Sequence, residues 1–124
     1  MNDRTPQLLA LRPIINSATV TADTSALEKF QNQALRPIIK YQNILLIAAF
    51  KTYIKKHKNA FYGLTTQNRL HYIERAVQKD IKFRNALKGM VMGHFSIEEY
   101  KNYVQHASAL NKRMINMVIE RLKD

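Results

Sequence analysis

From about residue 26 to the end of the chain, apolar side chains return every three or four positions, and nowhere do they alternate over more than a few residues. A period near 3.6 is the mark of amphipathic helix, so the chain is expected to be all-α, a bundle of four or five helices with an extended N-terminal arm. Three glycines and three prolines in 124 residues leave little for a many-turned β protein or a glycine-rich nucleotide loop. That length suits one domain, and an apolar content of 46% suits a packed core.

Local signals place the helices. Ser25 and Glu28 have capping-box spacing and predict a helix over about 26–35. Pro37 has no amide and biases Arg36 away from helical backbone, so the chain either breaks there or kinks and continues, with Pro37 in the first turn of a long helix to about His57. Ile38, Tyr41, Leu45 and Ala48 form one row on that helix. Ile39, Leu46, Phe50, Tyr53 and Ile54 form the next, and so broad an apolar face predicts the most buried helix of the chain. Thr65 or Thr66 can cap a third helix with Leu70, Ile73 and Val77 inside. Its stripe slips at Lys79 and Asp80 before resuming at Phe83, Leu87 and Met90, which predicts a break with Asp80 as a new cap or else a rotation of the buried face. Ser96 and Glu99 repeat the capping-box spacing. Beyond them Ile97, Tyr100, Val104, Ala107, Met114, Val118 and Leu122 hold one period, predicting a single helix with Asn111 on its stripe.

Residues 1–25 read as an arm and linker, and 26–124 as the helical domain. Asn16–Ser25 is polar, β-branched and aperiodic, whereas Leu8–Ile15 is apolar enough to dock. The hexapeptide ALRPII occurs twice, at 10–15 and 34–39, with unrelated flanks; it is coincidence or a shared local turn, or else two copies of a docking element. The longest apolar run, Ile44–Phe50, is seven residues, and no leader pattern is present, so a soluble, cytoplasmic protein without a membrane span is expected.

Twenty Lys and Arg against nine Asp and Glu give a net charge of +11. Residues 40–88 hold eleven of those cations against only Glu74 and Asp80. His71, Arg75, Lys79 and Lys82 follow helical steps, and Lys55, Lys56, Lys58 and Arg69 extend the basic region around the preceding loop. Such a face can neutralise phosphates, with Tyr53, Tyr62 and Tyr72 interleaved for base stacking, so nucleic acid or another polyanion is the first expected partner; a solvated face is the alternative. An assembly module, including a homo-oligomer, is the second reading, through the broad helix face or the surface bearing Met114 and Met117.

With no cysteine, disulfides, thiolate catalysis and cysteine-ligated metals are excluded. His71 with Glu74, His94 with Glu98, and Glu99 with His106 have helical spacing, yet none has a third ligand in reach of the pattern, so no metal, cofactor or catalytic residue is expected.

The stretches ALRPIIKYQN (34–43), KFRNALKGM (82–90) and SALNKRM (108–114) resemble a family of small bacterial proteins without established function, over roughly residues 26–122. Some of its members carry the label glyoxalase. Proteins similar to glyoxalase I are built from βαβββ modules with His and Glu ligands on strands, and this chain offers almost no strand pattern. The resemblance makes Arg84, Asn85, Lys88, Asn111, Lys112 and Arg113, beside Phe83 and Gly89, candidates for one polar site between two helices. The structural alternative is that Asn85 and Asn111 bridge helices while the cations stay in water. An enzyme would need a pocket joining Arg84, Asn85, His94 and Glu98.

Overall fold

The computed structural model describes residues 3–13 and 25–124, and all its regular elements are helical. These are α1 (Thr5–Leu11), α2 (Ala26–Phe30), α3 (Arg36–Lys56), α4 (Thr66–Lys79), α5 (Ile81–Met92), α6 (Ile97–Gln105) and α7 (Ala107–Lys123), with a short 3₁₀ turn at Ala60–Gly63. The linker expected over Asn16–Ser25 lies outside the described residues except at Ser25, whose hydroxyl accepts the Glu28 amide at 3.1 Å and starts α2. The first residues are not extended throughout, because Thr5–Leu11 is a helix with Pro6 in its first turn and Leu8 buried.

Pro37 does not end the helix. Gln31–Leu35 form a wider π turn, in which the Arg36 amide donates to the Gln31 carbonyl, and α2 runs through it into α3. The extra residue per turn moves the proline ring off the carbonyl it would strike in a regular helix. The two ALRPII copies therefore differ in backbone: Arg36 is helical at φ −59°, ψ −51°, while Arg12 is extended at φ −77°, ψ 130° and closes α1. The first copy contacts the residue just before the second. Arg12 Nη1 reaches the carbonyl of Gln33, four residues before Pro37, at 3.4 Å.

The core is made by α3, α4, α5 and α7, which pack against one another. Ile38, Ile39, Leu46, Phe50 and Ile54 of α3 meet Ile73, Ala76 and Val77 of α4, Leu87 and Val91 of α5, and Leu110, Met114, Ile115, Val118 and Ile119 of α7. Asp80 breaks the chain between α4 and α5: it is extended at ψ 100°, and its carboxylate accepts the Phe83 amide at 3.2 Å. A carboxylate at that position also suits the positive end of the α5 dipole.

Two expectations are corrected. The buried face of α3 is narrower than the two rows predicted, since Tyr41 (46% exposed) and Leu45 (51%) of the first row face water, as does Ile44 (82%) beside them. The final helix is not continuous either, because His106 leaves helical backbone at φ −132°, ψ 30° and separates α6 from α7. On a straight helix Tyr103 and Asn111 would lie about 12 Å apart along the axis. The kink brings the Tyr103 hydroxyl to the Asn111 Oδ1 at 2.5 Å and buries the tyrosine ring. Rotated by that kink, α6 turns Ile97, Tyr100 and Val104 outward instead of into the core.

Candidate anion-binding face

The loop end of α3 and the length of α4 bring the basic region together over an aromatic wall. Phe50 sits at its base, with the rings of Phe61 at 5.4 Å, Tyr72 at 6.2 Å and Phe83 at 6.4 Å. Above it, Tyr53 lies between His57 (4.0 Å) and Phe83 (4.4 Å), near-parallel to both. Burial, with the Asp80 carboxylate beside it, pushes the Tyr53 phenol up to about 12. An open cleft runs over this wall, lined by His57, Ala60, Tyr72, Arg75, Lys79 and Asp80 among others. Arg75 and Lys79, one turn apart and exposed, stand along it.

Lys55, Lys56 and Lys58 are exposed at the adjoining end of α3 and its turn. Lys58 and Asn59 both hold left-handed backbone, at φ 63° and 58°, a conformation that costs a lysine of order 1 kcal/mol or more. Lys82 is exposed in the first turn of α5; the break at Asp80 removes it from the helical row of Arg75 and Lys79. Arg69 leaves the candidate set. Its Nη2 donates to the Tyr62 carbonyl at 2.7 Å and its guanidinium lies over the Phe61 ring, so it closes the 3₁₀ turn. Stacking by the tyrosines also needs correction: both faces of Tyr53 are covered and Tyr72 is packed among Phe50, Phe61 and Tyr53, which leaves Tyr62 exposed.

The region's two carboxylates are both engaged by the fold. Glu74 is paired with Lys123 of α7 at 2.6 Å, a contact that holds its carboxyl below the usual range, and Asp80 caps α5. The ion pairs among the described residues, Arg12–Glu99 and Lys123–Glu74, use none of the cations between 40 and 88. None of the eleven cations is ion-paired among the described residues, so with its two carboxylates counted the segment keeps a net charge of +9.

The polar residues expected to converge do not. Arg113 donates to Gln31 Oε1 at 2.7 Å, Asn111 accepts from Tyr103, and Lys112 and Asn85 are exposed. Arg84 and Lys88 are half-buried on α5, and the Arg84 Nε is buried without a hydrogen-bond partner. Asn111 does bridge helices, but to Tyr103 of α6 and not to Asn85. The clefts between α3 and α7, between α3 and α4, and along α4 are lined by none of Arg84, Asn85, His94 or Glu98. Among the described residues no three His, Asp or Glu side chains gather, and there is no strand to carry the ligand set that the glyoxalase label implies.

One polar centre was visible in the sequence only as the Ser96–Glu99 spacing, without Arg12. Arg12, with its side chain 8% exposed, holds both Glu99 oxygens (2.5 and 2.7 Å) and the His94 carbonyl (3.0 Å). Glu99 simultaneously accepts the Ser96 amide at 2.9 Å, while Ser96 Oγ accepts the Glu99 amide at 3.1 Å, a full capping box. Arg4 adds a bond to the Phe95 carbonyl at 3.1 Å. This is an anchor of α1 on the α5–α6 turn. Arg12→Ala is expected to cost about 1–3 kcal/mol in urea unfolding, less than a fully buried pair, since Glu99 keeps its Ser96 contact.

His94 sits in the same turn with its ring 5.4 Å from that of Tyr41. Burial first, and then the charges of Arg12 and Arg4, lower its imidazole pKa below 6.5. Above that value both folded and unfolded states are neutral; as pH falls below it, the unfolded chain takes up the proton first and stability declines. Unfolding measured at about pH 7.5 and 5.5 should show this loss, and His94→Gln should reduce it.

Compared with known proteins, the chain matches no family model, and neither a curated protein nor a solved structure is significantly similar to it.

Proposed function

We propose that this protein is a non-enzymatic binder of nucleic acid or another polyanion, a helical bundle whose working face is the end of α3, its turn, and the outer side of α4. The observation that carries the reading is the charge imbalance. Eleven cations lie between residues 40 and 88 against two carboxylates, Glu74, which is paired with Lys123, and Asp80, which caps α5 and keeps its charge at the cleft. Arg75, Lys79 and His57 edge one cleft, with Lys55, Lys56 and Lys58 beside it and Lys82 on the next helix, a spread suited to a backbone of successive phosphates. The left-handed Lys58 supports the same reading, for the turn keeps a lysine where glycine would be less strained.

Arginine and lysine here are exposed and the aromatic faces are mostly covered, so recognition would rest on phosphate charge, with little reading of bases. Titration of labelled single-stranded and duplex DNA and RNA at increasing salt tests the proposal. Tight binding at low salt that weakens steeply supports it, and no binding at low salt overturns it.

A further inference from the structure

The outer face of α3 is built as though it were meant to be covered. Tyr41, Ile44 and Leu45 are spaced so that they form one patch, Ala48 continues it, and Ile44 is 82% exposed. The core does not need these residues, because Ile38, Ile39, Leu46 and Phe50 on the opposite side fill it. Contiguous apolar side chains left in water are uncommon unless they meet a partner. Lys40 lies one turn before Ile44 and Lys51 two turns after it, both exposed, and α3 contains no Asp or Glu from residue 36 to 56. On the outer side of α3 these residues form a ridge, with Ile44 the most exposed of them.

We propose that this ridge docks on an anionic lipid surface, with Tyr41, Ile44 and Leu45 entering the acyl boundary while Lys40 and Lys51 reach the headgroups. Charge decides the occupant. A second copy facing the ridge would set Lys40 and Lys51 against their equivalents on a chain of the same +11 charge, whereas acidic headgroups complement them. Shape agrees, since a convex apolar ridge needs a medium that closes around it, and a bilayer interface does so for a helix lying in its plane. The long lysine stems can lie along the apolar strip with their ammonium groups outward. Among the described residues no helix is long and apolar enough to cross a membrane, so the contact proposed is peripheral.

The chain has no tryptophan, so Tyr41→Trp places a single indole reporter on the ridge. Vesicles of phosphatidylcholine alone and with about 30 mol% phosphatidylserine are the probes. The indole emission is expected to shift to the blue with the anionic vesicles, and the protein to co-sediment with them. Ile44→Ser with Leu45→Ser should weaken that binding roughly tenfold or more. The same double variant should leave DNA binding and the helical circular-dichroism spectrum unchanged, which separates this test from that of the basic face around α4. Unshifted emission, undiminished vesicle binding by the double variant, or a concentration-dependent dimer that the double variant abolishes would each overturn the proposal.

Discussion

Phe50→Ala is expected to destabilise the fold by about 3–5 kcal/mol, the usual cost of deleting a buried aromatic side chain. Phe50 is 5% exposed, and four rings pack around it: Tyr53, Phe61, Tyr72 and Phe83. Those partners come from α3 itself, the 3₁₀ turn, α4 and α5, so no single element can collapse into the space left behind. The lost transfer free energy is therefore joined by a cavity term. For a chain of this size the melting temperature should fall by roughly 10–20 °C. Ile44→Ala is the comparison on the same helix. With Ile44 82% exposed, it should change stability by less than about 0.5 kcal/mol, so equal losses at the two positions would show that the packing around α3 is not as described.

The second large effect is on binding. With Arg69 committed to the Tyr62 carbonyl and the Phe61 ring, the cations left to meet phosphates are Lys55, Lys56, Lys58, Arg75, Lys79 and Lys82. If about five phosphates are contacted, log K against log salt should fall with a slope of about −4 to −5, a loss of roughly 300- to 1000-fold between about 50 and 200 mM salt. Replacing Arg75 and Lys79 by Gln should flatten the slope by about one to two units. Both side chains are exposed, so unfolding should be unaffected. Lys112→Gln is the control, because Lys112 is exposed on α7 whereas its neighbour Arg113 is hydrogen-bonded to Gln31. A control that weakens binding as much as the pair would place the contact surface elsewhere.

Helix class and most helix starts were legible in the residues alone, because caps and periodicity are local. Ser25, Thr65, Asp80 and Ser96 each accept the amide three residues on, and at Ser96 the carboxylate of Glu99 returns the bond to complete the capping box, as Glu28 is not seen to do at Ser25. The slip of the apolar stripe at Lys79 likewise marked the break before α5. Local pattern does not say which of two apolar rows faces inward when both are available, and on α3 that choice was made by α5 and α7, leaving Tyr41, Leu45 and Ala48 of the first row in water. It does not foresee a π turn before Pro37 either, since both backbone courses satisfy the proline. The end of α6 at His106 goes together with the bond from Tyr103 to Asn111, a pairing made only across the kink; the one sequence trace of it was a polar Asn111 on an apolar stripe.

Charge totals were read from composition, but which cations are free was decided by tertiary contacts. Arg12, in the near-neutral N-terminal segment, became the most engaged arginine, bridging residues more than eighty positions away in sequence. Arg69, counted with the basic face by spacing, turned to its own loop. Charge and period are properties of the chain, fixed at synthesis. Partners are properties of the folded surface, because a guanidinium takes whichever carbonyl or carboxylate packing brings within about 3 Å.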